Sequence, residues 1–303
     1  KEIDYMALNG INLPLAMVGI EAVWYDTLTE FGFSVREARE FLCGPAFLAW
    51  QWMANIEGFC GPLPKDWIDR RTLLGREILG RELELGMQPV QQGFSGFVPR
   101  KLREKFPDAK MQIKHPWCGL EGTTQLDPED PLFHELGLLF LQKQRERYGS
   151  YGYYAVDPFH ECEPPVNSKE YLNSVGLSIR NLLTEFDPEF VWVAQSWSIR
   201  KDIVTMVEKD RLLVLDLDGS KFKACENFWG YPFVTGNLHN FGGRTNLHGD
   251  MRQLSENRFI QIRRLAPNIC GSGLFMEGIE QNPVYYDLAF EMMIRDKEVC
   301  LFD

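Results

Sequence analysis

The sequence predicts an α/β fold, a (β/α)8 TIM-type barrel lacking its first strand, and three observations carry that expectation. Short β-rich runs alternate with longer amphipathic patterns along the whole chain. Several of those runs are apolar at both parities, as strands buried on both faces of a parallel sheet are. The connections are short, with no Pro/Gly-rich linker and no low-complexity block, so the units read as one domain over 1–303 with no second domain. A doubly wound open sheet is the runner-up, but its usual glycine-rich loop after the first strand is absent.

The expected strands are 11–19, 87–94, 153–159, 190–197, 212–218, 232–238 and 269–276. Seven is one short of a closed barrel, and the opening "KEIDYMALNG" has a helical pattern, so the missing strand is expected before Lys1. Among the helices, "EDPLFHELGLLFLQKQRERYG" is clearest. Asp130 suits the cap, and Pro131 suits the first helical position, where an N–H would lack a partner anyway. Leu132, Leu136, Leu139 and Phe140 form a stripe, and Gly149 ends it. "SKEYLNSVGLSIRNLLTEFDP" repeats the design, with Ser168 as cap and Pro188 past the end. "MRQLSENRFIQIRRLAPN" is expected to be a third helix.

Composition narrows the function. A chain of 303 residues at 45% hydrophobic can bury a substantial core. Its 32 Lys and Arg against 43 Asp and Glu leave a charge of -11, which repels nucleic acid and anionic membranes, so neither is an expected partner. No apolar run reaches the roughly 18 residues needed to span a membrane. Eight Trp suit either sugar-ring stacking or ordinary packing. The seven Cys (43, 60, 118, 162, 225, 270, 300) form no C-x-x-C pair and read as mostly buried thiols. No N-x-S/T sequon occurs, which favours a bacterial source over a secreted or lysosomal eukaryotic one.

In a (β/α)8 barrel the active site forms where the strands end. The polar residues past each run are Glu21 and Trp24, Gln91 and Gln92, 157–163, Gln195 and Trp197, Asp216 and Asp218, Asn237, His239 and Asn240, and Glu277. His160 and Cys162 invite a metal. Yet the five His (115, 134, 160, 239, 248) follow no H-E-x-x-H spacing, so no metal and no cofactor is expected. "GFSGF" lacks the nucleophile-elbow spacing, which leaves Ser95 as a loop serine. A carboxylate pair fits better. Glu161 and Glu277 each follow an apolar run, and glycoside hydrolysis needs one carboxyl group to protonate the leaving oxygen and another to attack or to activate water. Glu161 shares the parity of Phe159 and Asp157 along the extended run, whereas Glu163, locked before Pro164, is the weaker candidate. A lone glutamate in such a place also reads as a salt-bridge partner or a helix cap.

At these residues the sequence resembles the α-N-acetylglucosaminidases, glycoside hydrolase family 89. The resemblance runs through "DYMALNGINLPLA", "GPAFLAW", "GPLP", "DPEDPLF", "RLLVLDL", "LHNFGG" and "MEGIEQN", which together span nearly the whole chain. It implies a retaining exo-hydrolase that removes terminal α-linked N-acetylglucosamine. Glu161 of "FHE" would be the general acid/base and Glu277 of "MEG" the nucleophile. Trp50 and Trp197 would contact the sugar, with His239 and Asn240 near the site. The 2-acetamido group of an α-glycoside lies on the wrong side to displace the leaving group, so a protein carboxylate must do it. Retention then calls for carboxyl groups about 5 to 5.5 Å apart. The family and its substrate class also imply export, periplasmic or extracellular, and a parent with flanking domains.

The sequence departs from the family pattern at several points. His160 stands where an Asn contacting the 2-substituent is common, and Glu163 stands where an amide can occur. Thr235 and Gly236 replace an aromatic and a Cys, and Ile20 replaces a frequent Gln. His160 would read the 2-substituent in the Asn's place, or lower the pKa of Glu161 if protonated. Two other readings stay open: a carbohydrate-binding, catalytically impaired barrel fragment, and a metal-dependent hydrolase.

Overall fold

In the computed structural model, which describes residues 1–241, 247, 249–278 and 281–301, the apolar runs become short strands. Nine strands occur among the described residues: β1 (Val90–Gln92), β2 (Phe97–Val98), β3 (Met111–Ile113), β4 (Thr124–Leu126), β5 (Tyr153–Ala155), β6 (Val191–Gln195), β7 (Leu212–Asp216), β8 (Phe233–Asn237) and β9 (Ile269–Leu274). A six-stranded sheet has the order β1-β5-β6-β7-β8-β9, with parallel pairs such as Tyr154↔Trp192 and Leu215↔Val234. This is the α/β architecture expected from the sequence.

The first expected strand, 11–19, is reduced to a single parallel bridge between Leu15 and Val90. Backbone bonds from Gln88 N to Asn12 O (2.8 Å), from Val90 N to Pro14 O (2.8 Å) and from Ala16 N to Val90 O (2.9 Å) lay the segment beside β1. Pro14 has no N–H to donate, which interrupts the ladder where a strand would have continued. The sequence also gave no sign of a three-stranded antiparallel sheet, β2-β4-β3. Its strands of two or three residues are too short to show a period.

The chain divides into two compact units, Lys1–Val193 with Ser198–Arg211, and Ala194–Trp197 with Leu212–Asp303. In the first, the expected helices form with the expected ends. Asp130 Oδ1 accepts from Leu132 N and Pro131 opens helix Pro131–Tyr148, which stops at Gly149 (φ 83°). Ser168 caps helix Lys169–Phe186 through Tyr171 N. The buried face of Pro131–Tyr148 centres on Phe133, Leu136, Phe140 and Leu141, with Leu132 and Leu139 at its margins. A Cβ at Gly137 would meet the Leu182 side chain at 2.6 Å and the Phe94 ring at 2.7 Å, so glycine leaves room for both to pack against this helix. Trp24, on helix Ile20–Glu30, lies at the centre of this core, ringed by Phe41, Phe94, Phe97 and Phe140 at 4.9 to 6.2 Å between centroids.

In the second unit Phe233 stacks on Phe222 and tilts against Phe228, while Leu254, Tyr285 and Ala289 form a second cluster. The expected helix over "MRQLSENRFIQIRRLAPN" is two, Met251–Ser255 and Arg258–Leu265. Asn257 breaks it by adopting a left-handed conformation (φ 55°), which asparagine tolerates better than most residues. Its side chain caps the second helix through Ile260 N and donates to the carbonyls of Arg295 and Lys297.

Candidate active site

Glu161 lies six residues past the end of β5, but not on an extended run. Residues 158–161 form a turn, and Glu161 itself has φ 49°, a conformation that side chains other than glycine rarely adopt. The parity argument from Phe159 and Asp157 therefore fails, because the chain turns before it reaches the glutamate. The Glu161 carboxylate accepts a hydrogen bond at Oε2 from Trp117 Nε1 (3.0 Å). His160 is buried beside it, with Nε2 3.9 Å from Glu161 Oε1, beyond hydrogen-bond range. Burial holds the His160 pKa below its ordinary value against the raising fields of Asp157 and Glu161, and nearby Lys114 lowers it further. Asn55, with its amide oriented to satisfy both groups, donates to the His160 carbonyl (2.8 Å). Glu163 is engaged elsewhere, in an ion pair with Arg200 (2.9 Å).

Trp50, on the short helix Leu48–Trp52, is 39% exposed, and its ring centroid lies 6.5 Å from that of Trp117. Two partly exposed indoles beside a carboxylate suit the apolar faces and hydroxyl groups of a sugar ring. Trp117 did not figure among the sequence candidates. Its signal was the "PWCG" loop, where Cys118 and Gly119 both take positive φ (48° and 79°) and Trp117 and Leu120 exchange backbone bonds of 2.8 and 3.2 Å. That geometry is a two-residue hairpin turn.

The second unit gathers His239, Asn240 and Glu277. His239 is buried, stacks on Tyr285 (centroids 4.3 Å apart, 20° between planes) and shares a hydrogen bond through Nδ1 with Tyr286 Oη (3.2 Å). Tyr286 Oη also donates to Gln281 Oε1 (2.8 Å), which accepts from Asn240 Nδ2 (3.3 Å). Glu277, just past β9, is exposed, and its backbone N–H donates to the Asn240 carbonyl (2.9 Å). A Cβ on Gly278 would meet Asn240 Oδ1 at 2.2 Å, so the backbone after Glu277 runs against that buried amide. A cavity of about 600 Å3 opens beside His239, bounded by Asp218, Asn237, Asp250, Arg258 and Tyr285 among others. Trp197, after β6, is 37% exposed. Of the motif residues expected near here, Gly242, Gly243, Ile279 and Glu280 lie outside the described residues, as does His248.

Several other candidates serve the scaffold. Glu21 and Trp24 are buried on a helix; Glu21 lies 3.5 Å from Arg71, and burial raises its carboxyl pKa. Gln91 and Gln92 bind the carbonyls of Gly149 and Trp52. Asp216 accepts the backbone N–H groups of Lys221 and Phe222 (3.2 and 3.1 Å), closing the loop after β7. The cysteines differ from expectation: Cys43 is buried and Cys162 and Cys225 are half-buried, but Cys60, Cys118, Cys270 and Cys300 are exposed in loops or on an edge. Among the described residues no group of three or more His, Cys, Asp or Glu converges as metal ligands, and no helix is long and apolar enough to cross a membrane.

Residues 1–296 match the family described as the alpha-N-acetylglucosaminidase (NAGLU) tim-barrel domain. Human alpha-N-acetylglucosaminidase is 36% identical over 96% of this chain, which spans 42% of that protein. A family 89 glycoside hydrolase from Clostridium perfringens, solved with 2-acetamido-1,2-dideoxynojirmycin, superposes with a TM-score of 0.92 at 34% identity. The match covers 99% of this chain and 35% of that one. The same bacterial enzyme with two Glu→Gln substitutions, in complex with its substrate GlcNAc-alpha-1,4-galactose, gives 0.92 at 33% identity.

Proposed function

Because this chain belongs to the alpha-N-acetylglucosaminidase (NAGLU) tim-barrel family, we propose that 1–303 is the catalytic barrel domain of a retaining exo-glycoside hydrolase releasing terminal α-linked N-acetylglucosamine. The observation that carries this reading is similarity over nearly the whole chain to proteins of that activity. The two glutamates substituted in the substrate-bound relative are separated by nearly the same length of chain as Glu161 and Glu277, which supports that pair as the working carboxylates. The positive φ of Glu161 adds support from the fold, since backbone strain persists where the surroundings hold it and collects at functional positions.

In this mechanism the Glu277 carboxylate attacks the anomeric carbon as Glu161 gives its proton to the leaving oxygen. The C–O bond to the leaving group breaks and a glycosyl ester of Glu277 forms. Glu161, now ionised, then takes a proton from water as the water oxygen attacks the same carbon and frees Glu277. Two inversions leave the α configuration unchanged. Trp50 and Trp197 offer exposed indole faces to sugar rings, His160 lies beside the Glu161 carboxylate, Asn240 holds the Glu277 backbone, and His239 is fixed by Tyr285 and Tyr286. Flanking domains in the parent, a bacterial source and export complete the proposal.

The test is proton NMR of the sugar first released from an aryl α-N-acetylglucosaminide by the full-length protein. The α anomer is expected before mutarotation. The β anomer would overturn retention, and no release at all would favour a carbohydrate-binding barrel.

A further inference from the structure

We propose that Trp117 is a positioning residue that fixes the Glu161 carboxyl group for proton transfer, presented by the hairpin 111–126. The proposal rests on reading Glu161 as the acid/base. The indole N–H meets Glu161 Oε2 at 3.0 Å. An oxygen already accepting that N–H is the poorer proton carrier, so the transferable proton belongs on Oε1, the oxygen on the His160 side. Glu161 sits on a turn rather than a strand and has three side-chain torsions to fix, so an external donor does what the local backbone cannot.

The hairpin is built to hold that donor still. At its tip, Cys118 accepts a conformation that favours glycine, and the turn it makes places Trp117 directly opposite Leu120. At its root, Lys114 N donates to Thr123 O (2.9 Å). One carbonyl, that of Ala54, accepts from both Lys114 Nζ (2.6 Å) and Thr123 Oγ1 (2.7 Å), while Arg100 Nη2 holds the Gly122 carbonyl (3.1 Å). Lys114 is buried with its ammonium at that carbonyl, a costly arrangement for a surface loop that only had to close. Trp50 stands beside Trp117 and limits the tilt of its ring.

The test replaces the donor and keeps the shape, in the full-length protein: Trp117→Phe, and benzothienylalanine at position 117 in case the smaller ring perturbs folding. An acid that is poorly placed hurts most where the leaving oxygen needs its proton. The kcat/KM of an alkyl or glycosyl α-N-acetylglucosaminide, which reports the step that expels the leaving group, is expected to fall about tenfold while that of the 2,4-dinitrophenyl substrate stays within about twofold. An equal loss on both substrates would make Trp117 a sugar-stacking or purely structural residue and overturn the proposal, and so would no loss on either. Glu161→Gln separates this from the underlying reading: full turnover of the alkyl substrate by that variant would remove Glu161 as acid/base whatever Trp117 does.

Discussion

Glu161 and Glu277 both expose their side chains, but their backbones are set differently: Glu161 takes a left-handed conformation on a turn where Trp117 reaches its carboxylate, whereas Glu277 follows a strand with its main-chain N–H held by Asn240. Trp117 Nε1 binds Glu161 Oε2, and Glu161 takes φ 49°. At Glu277 the main-chain N–H donates to the carbonyl of buried Asn240, and Gly278 presses against the same residue's amide. The contrast matches the two roles proposed. An acid/base must present one oxygen in one direction twice per turnover, so its carboxyl orientation is what needs control. A nucleophile must bring its oxygen to a carbon and bond to it, so the position of its main chain sets whether it arrives.

The largest effect expected comes from the nucleophile itself. Glu277→Gln in the full-length protein should lower kcat on every aryl α-N-acetylglucosaminide by at least about 10³-fold, read by initial rates. Undiminished turnover would remove Glu277 from the chemistry and the contrast with it. Next come two glycines that sharpen the comparison because each serves one side. Gly278→Ala forces a methyl group to 2.2 Å from Asn240 Oδ1 and should cost on the order of tenfold on activated and unactivated substrates alike. Gly122→Ala forces one to 1.7 Å from the Lys114 carbonyl at the hairpin root, and a loss of similar order in kcat/KM should appear mainly with poor leaving groups. If both variants show the same leaving-group dependence, the division of labour is wrong.

The smallest effect is on stability and concerns the hairpin root alone. Burial lowers the Lys114 pKa from 10.5 to about 8. The folded chain gives up that proton before the unfolded chain does, so burying the ammonium destabilises the fold below about pH 8. Stability is regained as pH rises from about 8 toward 10.5. Lys114→Met leaves the Ala54 carbonyl with Thr123 and should stabilise the protein by about 1 to 3 kcal/mol near pH 7, a gain that shrinks as pH approaches 10.5. Urea melts across that range are the check. A gain independent of pH would show that the lysine contributes by packing rather than by charge.

The parallel strands and two of the three expected helices were readable because each carries a repeating pattern long enough to count. Asp130, Ser168 and Gly149 end their helices by the same local bonds that make those residue types recognisable. What failed did so for local reasons. Pro14 removed one donor from an apolar run, and Asn257 turned left-handed inside a continuous helical pattern. The pieces β2, β3 and β4 were too short to have a period. At the candidate site, the glutamates stood out through their motifs, and Trp117 did not. Its relation to Glu161 spans 44 residues of chain and passes through a turn that only the backbone angles reveal.

The tip of that hairpin also carries a thiol. Cys118 is exposed and lies next to the indole that binds Glu161. A maleimide-linked dye or spin label placed there, in a protein whose other exposed cysteines have been replaced, would sit one residue from the proposed proton-transfer apparatus. Glycan occupancy could then be followed in real time without altering the sugar.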